Sequence, residues 1–443
     1  MKNIDRKING KILGLALPSI LANITVPLAG IVDLAIAGRL GDASLIGGIA
    51  ISTMLFDLLY WNMGFLRMGT GGMVAQSYGR HDLGNVMKVF TQGMTTAGIF
   101  TFLVLALQYV YVDVAFMVVK CSPQVEKLAR IYYFIRIWAA PATISLYVFK
   151  GFFIGMQNAI SPMIVEVVIT AVNMASSYFL AVRTSLGFAG IAWGTVIAQY
   201  SGLLLSGCLF MRYRKLFKYI KFRASVRLSE LGNFISVNSD LLVRSVCFLG
   251  IYAGFTSYSA HYGDTLLAVS TIIMKVMMFY SYFIDGFAYA GEALSGRYFG
   301  EGNKSYLQRT VRIIFLWCTG IAIVSFISYF AGGKDLIKLM TDNETVIDAS
   351  LPFLPWLWVM PVLSVVCFTW DGIFVGVTAT AAIRNCMIAA VIAFFITYHS
   401  LKGIWGMNAL FLAYMVHLFV RSLYMTLSAK KCIFGKLTFN KHI

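Results

Sequence analysis

The chain has 443 residues, of which 59% are hydrophobic and only 12% charged, and its mean hydropathy is +0.77. A soluble domain carries about 25% charged residues, so the composition excludes an ordinary soluble protein and points to an integral membrane protein. The net charge of +17 does not indicate nucleic acid, because Lys and Arg gather in particular connections between apolar runs.

Runs of about 20 or more apolar residues recur along the chain and alternating ten-residue segments are absent, so the spans read as helices and not barrel strands. The fold predicted is all-α and integral to the membrane, with twelve spans near 11–38, 44–77, 86–111, 124–150, 160–182, 186–211, 229–257, 262–295, 306–330, 346–375, 379–398 and 402–428. The first is expected to stay in the mature protein, since its apolar run is too long for a signal peptide and no small-residue cleavage motif follows. Basic residues precede the first span (Lys2, Arg6, Lys7, Lys11), fill the connection after the sixth (Arg212 to Arg227), follow the eighth (Arg297, Lys304, Arg309, Arg312) and end the chain (Lys430, Lys431, Lys436, Lys441). By the positive-inside rule both termini and the central connection are expected in the cytoplasm, with the protein in the cell inner membrane.

In the stretch Leu15 to Gly38 of the first span the only formal charge is Asp33. An ionisable group at membrane depth costs roughly 2.5 to 3.5 kcal/mol, so a span that keeps one usually lines a cavity or a proton or ion path. Ala29, Gly30 and Ala37 are small and let a neighbouring helix or cavity approach that carboxylate. Pro27 cannot donate to the carbonyl of Asn23, so a bend is expected there, and bent helices in transporters expose backbone oxygens as ligands.

The fifth span carries Glu166, Thr170, Asn173 and Ser177 on one helical face, and the sixth carries Thr195 and Gln199. Such stripes serve either as interhelical glue, the reading favoured for Thr170 and Gln199, or as a cavity wall. In the seventh span Asp240 and Arg244, four residues apart, read as a structural ion pair. The eighth places Lys275, Tyr282, Asp285, Tyr289 and Glu292 on one face, and Asp371 lies near the cytoplasmic end of the tenth. Lys275 is expected to pair with a carboxylate from a neighbouring span, Asp240 or Asp371. Arg67, Lys150 and Arg384 sit near span ends, where snorkelling to the surface accounts for their charge.

The sequence also repeats itself. Tyr78-Gly79 after the second span is matched by Phe299-Gly300 after the eighth, and Gly151 and Gly155 are matched by Gly372 and Gly376, both at an offset of 221 residues. Two parallel six-helix repeats, 1–212 and 229–443, joined by a basic linker at 213–228, follow from this. Repeated six-helix halves are an architecture of secondary transporters, which bind substrate between or within the halves.

The stretches Ala16 to Asp33 and Phe65 to Gly79 resemble the start of multidrug and toxic compound extrusion (MATE) transporters. Asn238 to Arg244, Asp285 to Gly296 and Asp371 to Gly376 resemble the DinF branch, and the likeness runs from about residue 11 to 428. The resemblance implies N and C lobes of the MATE type and export of amphipathic or cationic organic compounds against H+ or Na+. It places cation-site residues at Asp33, Asn173 and Thr195, with Asn23, Pro27 and Gln199 in the cavity or bend, and leaves Asp240, Lys275, Asp285, Glu292 and Asp371 as second-half candidates. Many relatives carry a second Asp where this chain has Ser177. One carboxylate suffices for a proton but makes a poor bare-cation site, so H+ is the expected coupling ion, with Na+ at Asp33, Asn173 and Thr195 the alternative.

No cofactor or structural metal is expected, since the seven cysteines are scattered without a Cys-x-x-Cys pair. Small organic molecules and membrane lipids are the expected partners of a monomer, and nucleic acid is not. A membrane-embedded enzyme finds no support, because the five histidines are dispersed and no His-Glu-x-x-His occurs. A flippase of lipid-linked sugar precursors is a further alternative, though those relatives usually have extra spans and a strongly cationic cavity.

Overall fold

The computed structural model describes residues 2–39, 43–119, 121–220 and 228–435, which are helical with short connections and contain no strand. Twelve of its helical stretches are long and apolar enough to cross a membrane. The basic residues Lys221, Arg223, Arg227, Lys436 and Lys441 of the expected linker and tail lie outside the described residues.

The first half consists of α1 (Lys2–Arg39), α2 (Ala43–Met63), α3 (Phe65–Gly79), α4 (Leu83–Ala106), α5 (Gln108–Val118), α6 (Pro123–Arg136), α7 (Ala140–Gly155), α8 (Ile160–Val182) and α9 (Phe188–Phe210). The second consists of α10 (Leu228–Ala260), α11 (Asp264–Gly300), α12 (Lys304–Met340), α13 (Glu344–Ser350), α14 (Leu354–Gly376), α15 (Thr380–Trp405) and α16 (Met407–Ala429). Local chemistry sets these ends. Pro123 fills the first turn of α6, where no backbone donor is needed, and the Ser122 hydroxyl accepts from Val125 N at 3.4 Å. Span four is two helices, because a 3-10 turn over Ile137–Ala139 separates α6 from α7 and leaves Arg136 at the junction. The first helix runs through Pro27 without interruption, and the Thr25 hydroxyl donates back to Ala22 O at 2.8 Å in the turn before it.

Two compact units form, one of Leu21–Ile235 and one of Met1–Ile20 with Ser236–Ile443. The first twenty residues thus pack with the second half and not with the repeat they open. Gly286 shows why. A Cβ on it would stand 2.4 Å from Ile20 Cγ1 and 2.9 Å from Ala16 O, so α11 meets the start of α1 backbone to backbone.

Within the units the repeat is physical. A Cβ on Gly151 would lie 2.4 Å from Arg67 O, and one on Gly372 would lie 2.0 Å from Ala288 O. Gly155 meets Gly71 O at 2.8 Å as Gly376 meets Glu292 O at 2.3 Å. Each partner is displaced by the same 221 residues, so the paired glycines exist to let α7 cross α3 and α14 cross α11 at backbone contact. The turns repeat as well. His81 and Gly302 hold φ of 58° and 68°, Gln157 and Thr378 hold 63° and 50°, and Asp82 and Asn303 cap the helices that follow.

Candidate functional site

In the unit Leu21–Ile235 the Asp33 carboxylate is 6% exposed, against α8 and α9. Ile36, Ala37, Tyr132, Ala181 and Ile191 pack in one cluster one turn further along. Its Oδ2 accepts from the Thr195 hydroxyl at 3.5 Å, which in turn accepts from Asn173 Nδ2 at 3.1 Å. Asn173 Nδ2 also reaches Ser177 Oγ at 3.4 Å, and Ser177 donates to Ile191 O at 3.3 Å. All four side chains are at most 7% exposed, so the sequence-predicted set Asp33, Asn173, Ser177 and Thr195 does come together. Asp33 Oδ1 and Asn173 Oδ1 are buried with no hydrogen-bond partner.

The site is tight because α8 and α9 touch. A Cβ on Gly194 would stand 2.4 Å from Ser177 Oγ and 2.5 Å from Ser177 N, and one on Gly190 would stand 2.5 Å from the Leu180 backbone. Gly194→Val is therefore expected to push the helices apart, lowering stability by about 1–3 kcal/mol, as overpacking does, and weakening transport. Thermal unfolding in detergent and dye efflux read the two effects, and a wild-type melting temperature would contradict it.

Sequence reasoning missed Arg136, the positive charge that acts on Asp33. Its guanidinium lies over Phe56 at 4.7 Å and over Tyr132 at 5.8 Å, and Nη1 donates to the Thr53 hydroxyl at 3.3 Å. Tyr132, 0% exposed, brings its hydroxyl into the same interior without a hydrogen-bond partner. The available signal was an unpaired Arg thirteen residues into a span. Of the other first-half candidates, Thr170 donates to Thr25 O at 3.5 Å and Gln199 is half-buried on α9. Asn23 lies one turn before Pro27 on α1. Lys150 does not snorkel free but pairs with Glu166.

The second half corrects several expectations. Asp240 and Arg244 are not each other's partners. Arg384 Nη1 and the Thr380 hydroxyl hold Asp240 at 2.6 and 2.9 Å, so Arg384 is also spoken for. Asp371 Oδ2 accepts from Arg421 Nη2 at 2.6 Å and from Arg244 Nη2 at 3.2 Å. Lys275 is therefore not their counter-charge, and it is exposed. Arginine wins because its planar fork donates several hydrogen bonds in fixed directions where an ammonium is a compact hydrated charge. Arg421, 1% exposed, was overlooked, as was the fully buried His417 one turn before it. Glu292 is 1% exposed and Asp285 half-buried, both engaged within the structure. Among the described residues no His, Cys, Asp and Glu cluster could hold a metal ion.

Residues 18–179 and 241–399 match the MatE family, one segment in each half. DNA damage-inducible protein F of Escherichia coli (strain K12) is 32% identical over 416 residues, which cover 92% of this chain and 89% of that one. The fold matches a crystal structure of MATE in the bent conformation with a TM-score of 0.89 at 16% identity over 99% of both chains. It matches the Vibrio cholerae MATE transporter VcmN in the bent form with a TM-score of 0.86 at 13% identity, again over 99% of both. With a family match through both halves and a relative of this identity along nearly its whole length, the chain belongs to the MatE family, as a MATE transporter of the DinF-like branch.

Proposed function

We propose that the protein is a secondary antiporter of the cell inner membrane that exports amphipathic and cationic organic compounds in exchange for H+. Asp33 is the group that carries the proton. Multidrug and toxin extrusion protein 1 of Xenopus tropicalis, 24% identical over 383 residues, bears the kind of name that supports this substrate class. Both termini lie in the cytoplasm, the monomer is the working unit, and the repeats 1–212 and 229–443 with the linker 213–228 act as its two lobes.

The observation that carries the reading is a buried carboxylate whose near polar neighbours, the hydroxyl and amide groups of Thr195, Asn173 and Ser177, are neutral, with the Arg136 charge acting on it without a salt bridge. An unpaired buried charge in such surroundings is costly, so Asp33 is stable either when protonated or when a cation stands beside it. A proton arriving from outside then displaces the exported cation. Releasing that proton to the cytoplasm restores the substrate-accepting state.

The bare Oδ1 atoms of Asp33 and Asn173 favour a second reading, in which Na+ takes them as ligands. Efflux of a cationic dye from proteoliposomes separates the two. A pH gradient alone is expected to drive efflux, and a Na+ gradient alone is not. The reverse result would assign the site to Na+. Ser177→Asp, which adds a second carboxylate, is expected to strengthen Na+ dependence.

A further inference from the structure

Where α1 and α12 begin, both within the unit of Met1–Ile20 and Ser236–Ile443, a groove of about 520 Å3 is lined by Asp5, Arg6, Asn9, Ile313, Leu316 and Trp317. Two cross-links join its walls: Arg309 Nη1 donates to Asp5 Oδ1 at 2.8 Å, and Trp317 Nε1 donates to Asn9 Oδ1 at 2.7 Å. Phe287 stacks on the Trp317 ring with 5.9 Å between centroids, so the indole is fixed from two sides while the residue stays 40% exposed. On α12, Arg309, Arg312, Ile313 and Leu316 recur at the spacing of one helical face, so this face is basic at the helix start and apolar further in.

The charges at this mouth do not cancel. Asp5 is paired with Arg309 and Glu301 with Arg297, and Lys11 donates to the Tyr298 hydroxyl at 3.3 Å. Arg6 and Arg312 are exposed, and neither has an ion-pair or hydrogen-bond partner among the described residues. Unpaired arginines above an apolar wall suit an amphiphile with an anionic head. Basic residues at a membrane surface attract anionic headgroups, tryptophan favours the headgroup level, and hydrocarbon covers Ile313 and the 63% exposed Leu316. A soluble anion would meet the arginines but use none of the apolar wall, and a cationic amphiphile would meet like charge.

We propose that this groove binds one anionic phospholipid from the leaflet on the side of the N-terminus: Arg6 and Arg312 take the headgroup phosphate, and an acyl chain lies along Ile313, Leu316 and Trp317. Guanidinium groups suit this role because their planar forks match phosphate oxygens. The bound lipid bridges α1 and α12 and braces the start of the helix that carries Asp33. The assignment requires neither a particular coupling ion nor a particular exported compound.

Brominated acyl chains quench a tryptophan they touch, so the test follows the fluorescence of purified full-length protein in detergent during titration with brominated phosphatidylglycerol or brominated phosphatidylcholine. Phosphatidylglycerol is expected to quench at a concentration at least about tenfold lower, since each basic residue near an anionic surface contributes about fivefold. Trp317→Phe should remove this saturable quenching, which assigns the signal to one of the eight tryptophans, while phosphatidylglycerol still raises the melting temperature. Arg6→Gln with Arg312→Gln should bring phosphatidylglycerol down to the level of phosphatidylcholine. Asp5→Asn, which frees the Arg309 charge, should tighten phosphatidylglycerol binding about fivefold and leave phosphatidylcholine unchanged. Equal quenching by the two lipids in the wild type, a preference that survives the double arginine substitution, or saturable quenching that persists in Trp317→Phe overturns the proposal. Should the double arginine variant fail to assemble, Asp5→Asn decides, and an unchanged or weakened phosphatidylglycerol affinity there refutes the site. If glycerol 3-phosphate raises the melting temperature as much as phosphatidylglycerol at equal concentration, the occupant is a soluble phosphate ester and the lipid assignment falls.

Discussion

Proteoliposomes carrying Asp33→Asn are expected to release a cationic dye under a pH gradient no faster than protein-free vesicles. The substitution keeps the size of the side chain and an oxygen that can accept from Thr195, so the contacts of α1 with α9 survive. Burial also favours it, because a neutral amide in an interior site avoids the cost of an unpaired charge. The variant should therefore insert and melt like the wild type, or slightly higher, while losing the one group that can take up and release a proton. Efflux near the wild-type rate from a well-assembled variant would remove Asp33 from the coupling mechanism. Loss of both assembly and efflux would show only that the site is structural, which the retained hydrogen bond argues against.

The twelve spans were legible because membrane helices must satisfy their backbone internally and bury a long apolar run, which leaves a strong local signal. The duplicated halves were legible for a different reason. Gly151, Gly155, Gly372 and Gly376 mark backbone contacts between helices, and such contacts admit no other residue. Asp33 was found because a charge inside a span is rare enough to stand out, whereas Asn173, Ser177 and Thr195 were singled out from the polar stripes by the family resemblance. What stayed hidden were pairings between spans. Helical spacing suggested Asp240 with Arg244, yet each carboxylate and guanidinium reaches another helix, Asp240 to Arg384 and Arg244 to Asp371. Arg136 and Arg421 lie inside their spans and were missed because no acidic residue stands one helical turn away on the same helix to draw attention to them; their partners come from other helices.

The repeat gives the last expectation its sharpness. Lys150 and Asp371 occupy equivalent positions, 221 residues apart, yet one is basic and pairs with Glu166 while the other is acidic and pairs with two arginines. Removing the carboxylate as Asp371→Asn strands Arg421, 1% exposed, beside Arg244. Breaking a buried ion pair from one side costs about 3–5 kcal/mol in soluble proteins, because the surviving charge keeps its desolvation cost and loses its partner. A fall in stability of that order is expected here, read as a lowered unfolding temperature in detergent. Adding Arg421→Met replaces the stranded guanidinium by an apolar group of similar length and should recover most of the loss. Lys275→Ala, at an exposed position outside this cluster, should change stability by no more than about 0.5 kcal/mol. If the double variant is as unstable as the sum of its single substitutions, Arg421 and Asp371 are not energetically coupled, and the cluster owes its stability to the packing of α14 against α16 alone.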